Sequence, residues 1–141
     1  MKIFVDTWGW IAISDDKDAY HKKAIHLYKN SVLVRGNKIV TSDFVLMETI
    51  TALRLSLGHN RTLQWIRKVN EKSERGLLHI VSAERTLYQK AVQLLMRYSD
   101  KPDISLTDFT SFVIMQEQEI NNVFTGDTHF EQVNLGFRLI K

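Results

Sequence analysis

Five short apolar runs punctuate the chain, at Ile3–Val5, Ile39–Val40, Leu77–Val81, Asn122–Phe124 and Phe137–Ile140. Each has the length of a buried strand. Between them the apolar positions change to a spacing of three and four, as on one face of a helix. Ala24, Leu27, Tyr28 and Val32 share such a face over Ala19–Leu33, and Asp43–Leu57 is strongly apolar. Arg61–Ser73 is a more polar, basic helix. Leu87, Tyr88, Ala91, Leu94, Leu95 and Tyr98 stripe Glu84–Tyr98, while Phe109, Phe112, Val113 and Gln116 stripe Thr107–Glu119. A further helix opens at Thr7. Gly36, Gly58 and Gly76 each stand after a helical stretch, where a glycine commonly ends the helix. Short apolar strands alternating with helices predict one α/β domain over residues 1–141, with a parallel sheet covered on both faces.

In such a sheet ligands bind beyond the C-terminal ends of the strands, where the strand order reverses. Acids arrive at that edge repeatedly. Asp6 ends the first strand in "KIFVDT", and Asp127 follows the fourth in "NVFTGDTHF". Asp108, in "SLTDFTSF", opens the helix that feeds the fourth strand, so its first turn lies at the same edge. Glu48, in "SDFVLMETITAL", shares a helical stripe with Phe44, Ala52 and Leu55 and is expected among core-facing residues. No basic residue stands three or four positions away to compensate it.

Taken singly, each acid has an ordinary explanation. Asp6 fits a helix N-cap, Asp108 an acid favoured by the helix dipole, Asp127 a turn residue after Gly126, and Glu48 a partner for a distant Arg or amide. Together they fit one cation site. Oxygen ligands without cysteine favour Mg²⁺ or Mn²⁺, ions that act on phosphate esters.

Composition sharpens that reading. The 141 residues contain no cysteine, which excludes disulfides and thiolate metal sites and agrees with a cytoplasmic location. No apolar stretch is long enough to span a membrane, and the N-terminus enters its strand without a signal-peptide layout. Lys and Arg number 19 against 16 Asp and Glu. Setting the four acids aside leaves 12 acids against 19 bases, about +7, a surround suited to a polyanion.

Along essentially its whole length the chain resembles the PIN-domain nucleases, particularly the toxins of VapBC-type toxin–antitoxin pairs. The resemblance rests on the order and spacing of "IFVDTWGWIA", "FVLMETITAL", "DISLTDFTSFVIM" and "VFTGDTHFEQ". It implies a three-layer α/β/α sandwich and a Mg²⁺- or Mn²⁺-dependent endoribonuclease acting as a growth-inhibiting toxin. It places Asp6 and Asp127 on the main metal with help from Asp108, and Glu48 on a second ion or on the attacking water. Thr7 and Thr125 offer hydroxyls to position a ligand or water. It further implies an RNA substrate, a homodimer and an antitoxin that covers the acidic site.

Other residues carry two readings each. His129 touches substrate phosphate or is a solvent-facing loop residue. Asp100 and Asp103 reach the rim or are turn residues around Pro102. Trp8 stacks on bases, whereas Trp10 belongs to the core. Arg61, Arg67, Lys68, Lys72 and Arg75 make one helix basic, either as a solvated face or for RNA. A phosphoacceptor receiver domain would need an Asp after the third strand, where Val81-Ser82-Ala83 stands. A haloacid-dehalogenase-type phosphatase would need an acid at position 8, which is Trp. Two alternatives stay open, an RNA-processing nuclease outside a toxin pair and a non-cleaving PIN-like scaffold.

Overall fold

Strand β1 (Lys2–Val5) lies at the centre of the molecule, and Ile3, Phe4 and Val5 are all without solvent exposure. Consecutive strand residues point to opposite faces, so burial of three in a row requires cover on both sides. The computed structural model, which describes residues 1–141, provides that cover with seven α-helices around a five-stranded sheet. The result is a three-layer α/β/α arrangement.

The remaining strands are β2 (Lys38–Ser42), β3 (His79–Val81), β4 (Asn122–Phe124) and β5 (Arg138–Leu139). All pair in parallel, in the order β3-β2-β1-β4-β5. From β1 the chain builds outward first through β2 and β3, then on the other side through β4 and β5. The order therefore reverses between β1 and β4. Their register sets Val5 beside Phe124, so the next residues, Asp6 and Thr125, leave the sheet side by side.

Helix α1 (Thr7–Ser14) starts directly from β1 and packs on α2 (His21–Leu27) and α3 (Asp43–Leu57). α2 continues as a wider π-helical turn over Tyr28–Val32, which seats Tyr28 and Val32 in the core. α4 (His59–Glu74) packs on α3 after a sharp turn at Gly58. Gly36, Gly58 and Gly76 all have positive φ, the role expected of them. α5 (Arg85–Leu95) packs extensively on α6 (Leu106–Glu117), and a short α7 (His129–Gln132) follows β4.

A single cluster of 28 buried residues forms the core. At its centre Phe112 contacts Phe109, Phe130 and Phe137, with the Phe130 ring perpendicular to it at 4.9 Å between centroids. Trp10 is core, as expected: its indole N–H donates to Thr41 Oγ1 at 3.0 Å, which in turn donates to the Val5 carbonyl. No helix is long and apolar enough to cross a membrane.

One helix face differs from expectation. The core-facing stripe of α3 is Val45, Thr49 and Leu53, one position on from the Phe44–Glu48–Ala52–Leu55 stripe, and Leu55 is 88% exposed. A step of one residue turns a side chain by about 100°, so Glu48 is not buried in the core. It is exposed on the flank of α3.

Candidate active site

Asp6 is the residue on which the site is built. As the N-cap of α1 it accepts the Gly9 N–H through Oδ1 at 2.9 Å, so its ordinary role is real. Its second oxygen serves something else. Oδ2 accepts the Thr125 hydroxyl at 2.8 Å, and Thr125 Oγ1 accepts the Asp127 N–H at 2.9 Å. Two strand ends are thereby tied together through one hydroxyl.

Asp127 stands past the end of β4, its Oδ1 accepting the His129 N–H at 2.9 Å in the turn before α7. Asp108 occupies the first turn of α6 behind the N-cap Ser105, whose hydroxyl accepts the Asp108 N–H at 3.1 Å. The Ser-x-x-Asp spacing is a capping pattern readable in the sequence. It fixes the backbone from which the Asp108 carboxylate projects.

These elements enclose a shallow cleft of about 340 Å³ at the C-terminal edge of β1 and β4. Asp6, Glu48, Asp103, Asp108 and Asp127 all line it, together with Thr7, Trp8 and His129. Neither Lys nor Arg does. All four acids singled out in the sequence thus share one cavity, Glu48 reaching it from the exposed flank of α3. One ligand atom each from Asp108, Asp127 and His129 lies within 4.8 Å of the others.

The electrostatic consequence is visible in the proton affinities. Burial pushes the Asp6 carboxyl up to about 8, against the hydrogen bonds from Gly9 and Thr125, with Asp108 and Asp127 adding repulsion. Asp108 is raised to about 6 by burial first and by the Asp127 charge second. Burial works against a charged His129, but the Asp103 and Asp108 carboxylates outweigh it and hold the ring above its ordinary value. Without a cation, Asp6 and Asp108 therefore hold protons more tightly than ordinary carboxyls do.

The donor set fits a small hard cation. It is dominated by carboxylates and hydroxyls, joined by the His129 imidazole and with no thiolate. Thr7, which lines this cleft, carries the one buried side-chain oxygen in the molecule that lacks a hydrogen-bond partner. A buried hydroxyl without a partner is costly, and a bound ion or its water would satisfy it.

The other residues sort as follows. Thr125 positions Asp6 rather than projecting into the open cleft. His129 is not a solvent-facing loop residue: Nε2 lies 3.1 Å from Asp103, and Nδ1 lies 3.2 Å from both Asp108 and Asp127. Asp103 reaches the rim through that contact, whereas Asp100 turns away and pairs with Lys101 at 2.8 Å. Trp8 forms one wall of the cleft, its indole lying over Gly126 and near the Tyr20 ring. Arg61, Lys68, Lys72 and Arg75 line a separate groove of about 580 Å³ with Trp10 and Trp65, and Arg67 stays outside it. No local signal marks the His129–Asp103 contact, since 26 residues separate the two.

Known proteins share this fold. A family model described as the PIN domain matches residues 3–135. The 23S rRNA-specific endonuclease VapC20 of Mycobacterium tuberculosis is 32% identical over 131 residues, 91% of either chain. The crystal structure of Mycobacterium tuberculosis VapC20, a sarcin-ricin loop cleaving toxin, superposes with a TM-score of 0.80 over 96% of both chains at 27% identity. DNA-bound VapBC from Salmonella typhimurium shares the fold, with a TM-score of 0.65 at 16% identity over 99% of this chain and 96% of that one.

Proposed function

This chain belongs to the PIN domain family, and on that premise we propose that it is a divalent-metal-dependent endoribonuclease, the toxin of a toxin–antitoxin pair. The observation that carries the reading is the convergence of Asp6, Glu48, Asp108 and Asp127 on one cleft that holds no Lys or Arg. The similarity to a 23S rRNA-specific endonuclease makes structured ribosomal RNA the first substrate class to try.

Asp6, Asp108 and Asp127 would hold Mg²⁺ or Mn²⁺ through carboxylate oxygens. Such an ion supplies an activated water and charge stabilisation for phosphodiester hydrolysis. Thr125 keeps Asp6 turned toward Asp127. Glu48, in contact with solvent, orients the attacking water and accepts its proton. Trp8 offers an aromatic wall against which a base stacks. The excess of basic residues outside the cleft draws in the polyanion.

A cognate antitoxin covering the acidic cleft is part of the proposal, supported by the resemblance in fold to VapBC assemblies. So is a homodimer, for which exposed Met47 and Leu55 on α3 offer apolar surface.

The test is cleavage of purified 23S rRNA with Mn²⁺, with EDTA, and by Asp108→Asn in parallel. Discrete products that need the metal and vanish in the variant are expected. Products that survive EDTA, or survive the substitution, would overturn the reading.

A further inference from the structure

We infer that His129, aligned by Asp103, is a positioning residue that holds the Asp108 and Asp127 carboxylates together as one metal-binding face. This rests on the metal-dependent reading above. Three distances carry it. The Nδ1 atom stands 3.2 Å from Asp108 Oδ2 and 3.2 Å from Asp127 Oδ1, and Nε2 stands 3.1 Å from Asp103 Oδ2. Both ring nitrogens are thus engaged by carboxylates, and the ring cannot turn without breaking contacts at both ends.

The chain geometry explains why a residue is needed there. Asp108 comes from α6 and Asp127 from the turn before α7, and no hydrogen bond joins their backbones. Two carboxylates from separate elements repel each other. The Nδ1 edge stands between them, hydrogen-bonded to Asp108 and in charge contact with Asp127, and so offsets that repulsion. The ring is itself anchored, because the His129 N–H donates to Asp127 Oδ1 at 2.9 Å. Asp103 is largely exposed while His129 is four-fifths covered, so Asp103 acts through the ring and not as part of the packed site. Carboxylate–imidazole pairs that orient metal-binding groups commonly change metal affinity by one to two orders of magnitude when removed.

The alternative is that His129 coordinates the ion through a ring nitrogen. The two roles respond differently to substitution. An Asn side chain places an amide N–H₂ where Nδ1 stands and can donate to both acids, whereas Gln places it nearer Nε2. The experiment is a Mn²⁺ titration by calorimetry on the wild type, His129→Ala, His129→Asn, His129→Gln, Asp103→Ala and the Asp103→Ala/His129→Ala double variant, with folding checked by circular dichroism.

A positioning role predicts roughly 10- to 100-fold weaker Mn²⁺ binding in His129→Ala, substantial recovery in His129→Asn, and none in His129→Gln. Asp103→Ala weakens binding by itself but adds nothing in the His129→Ala background. Wild-type affinity in His129→Ala, or equal loss in the Ala and Asn variants, would overturn the inference alone. Additive losses in the double variant would do the same, and the exposed Asp103 keeps that arm decisive should His129→Ala fold poorly. A wild type that binds no Mn²⁺ would overturn the metal reading itself, and this inference with it.

Discussion

The Thr125 hydroxyl joins the ends of two neighbouring strands, donating to Asp6 Oδ2 at 2.8 Å while accepting the Asp127 N–H at 2.9 Å. Hydrogen bonds to a buried carboxyl are worth about 1–3 kcal/mol when lost. Thr125→Val keeps the shape but removes the donor. It is expected to lower stability by that amount in urea unfolding and to weaken Mn²⁺ binding, whereas Thr125→Ser restores both. An unchanged midpoint in the Val variant would mean the hydroxyl has no such role.

The metal-free protein is predicted to lose stability as pH rises. Folded Asp6 titrates near 8 and folded Asp108 near 6, against 3.8 for both in the unfolded chain. Between those limits the folded state holds more protons, so the stabilisation is complete below the unfolded value and lost as pH climbs through the folded one. Each group changes stability by at most about 1.4 kcal/mol per pH unit. The raised His129 acts in the same direction. Thermal midpoints in EDTA should therefore fall from pH 5 to pH 8, and Asp6→Asn should flatten the slope. A midpoint that rises over this range would contradict the assignment.

Glu48 separates catalysis from stability. It is exposed on α3 and its charge only adds to the repulsion on Asp108, so Glu48→Gln should not lower the unfolding midpoint. Loss of a group that accepts the water's proton slows the reaction by roughly 10²–10⁴-fold. Single-turnover cleavage kinetics alongside thermal melting check both halves. Destabilisation without slowing would return Glu48 to a structural role.

Two glycines permit the close approach of α1 to the end of β4. A Cβ on Gly9 would meet the Phe124 carbonyl oxygen at 2.5 Å, and one on Gly126 would meet the Trp8 indole at 2.3 Å. The first obstacle is backbone and cannot yield, so Gly9→Ala should cost roughly 1–3 kcal/mol or more. The second is a side chain. Gly126→Ala should displace Trp8, altering its fluorescence, with a smaller effect on stability. Equal costs in denaturant titration would count against this distinction.

The layered parallel sheet was legible because its strands are continuous apolar runs and its helices carry clear stripes. The convergence of Asp6, Asp108 and Asp127 on one edge was legible because strand ends and helix starts alternate predictably across a parallel sheet. α3 defeats the same method. With Met47 and Leu55 exposed and Val45, Thr49 and Leu53 buried, apolar residues surround it, and the stripe could be set one position out. Leu77, expected at the start of β3, is 54% exposed, because the strand begins only at His79. The four-residue α7 is too short to show a period. The Asp103–His129 contact joins distant loops, and only the folded chain brings them together.

Whether these acids form one divalent cation site is decided by a Mn²⁺ titration of wild type and Asp6→Asn at pH 8, followed by thermal midpoint. Mn²⁺ should raise the wild-type midpoint in a saturable manner, since an ion binding only the folded state stabilises it. Asp6→Asn should be the more stable protein without metal and gain little from it. Equal metal-induced shifts in the two proteins, or none in the wild type at millimolar Mn²⁺, would contradict a shared cation site.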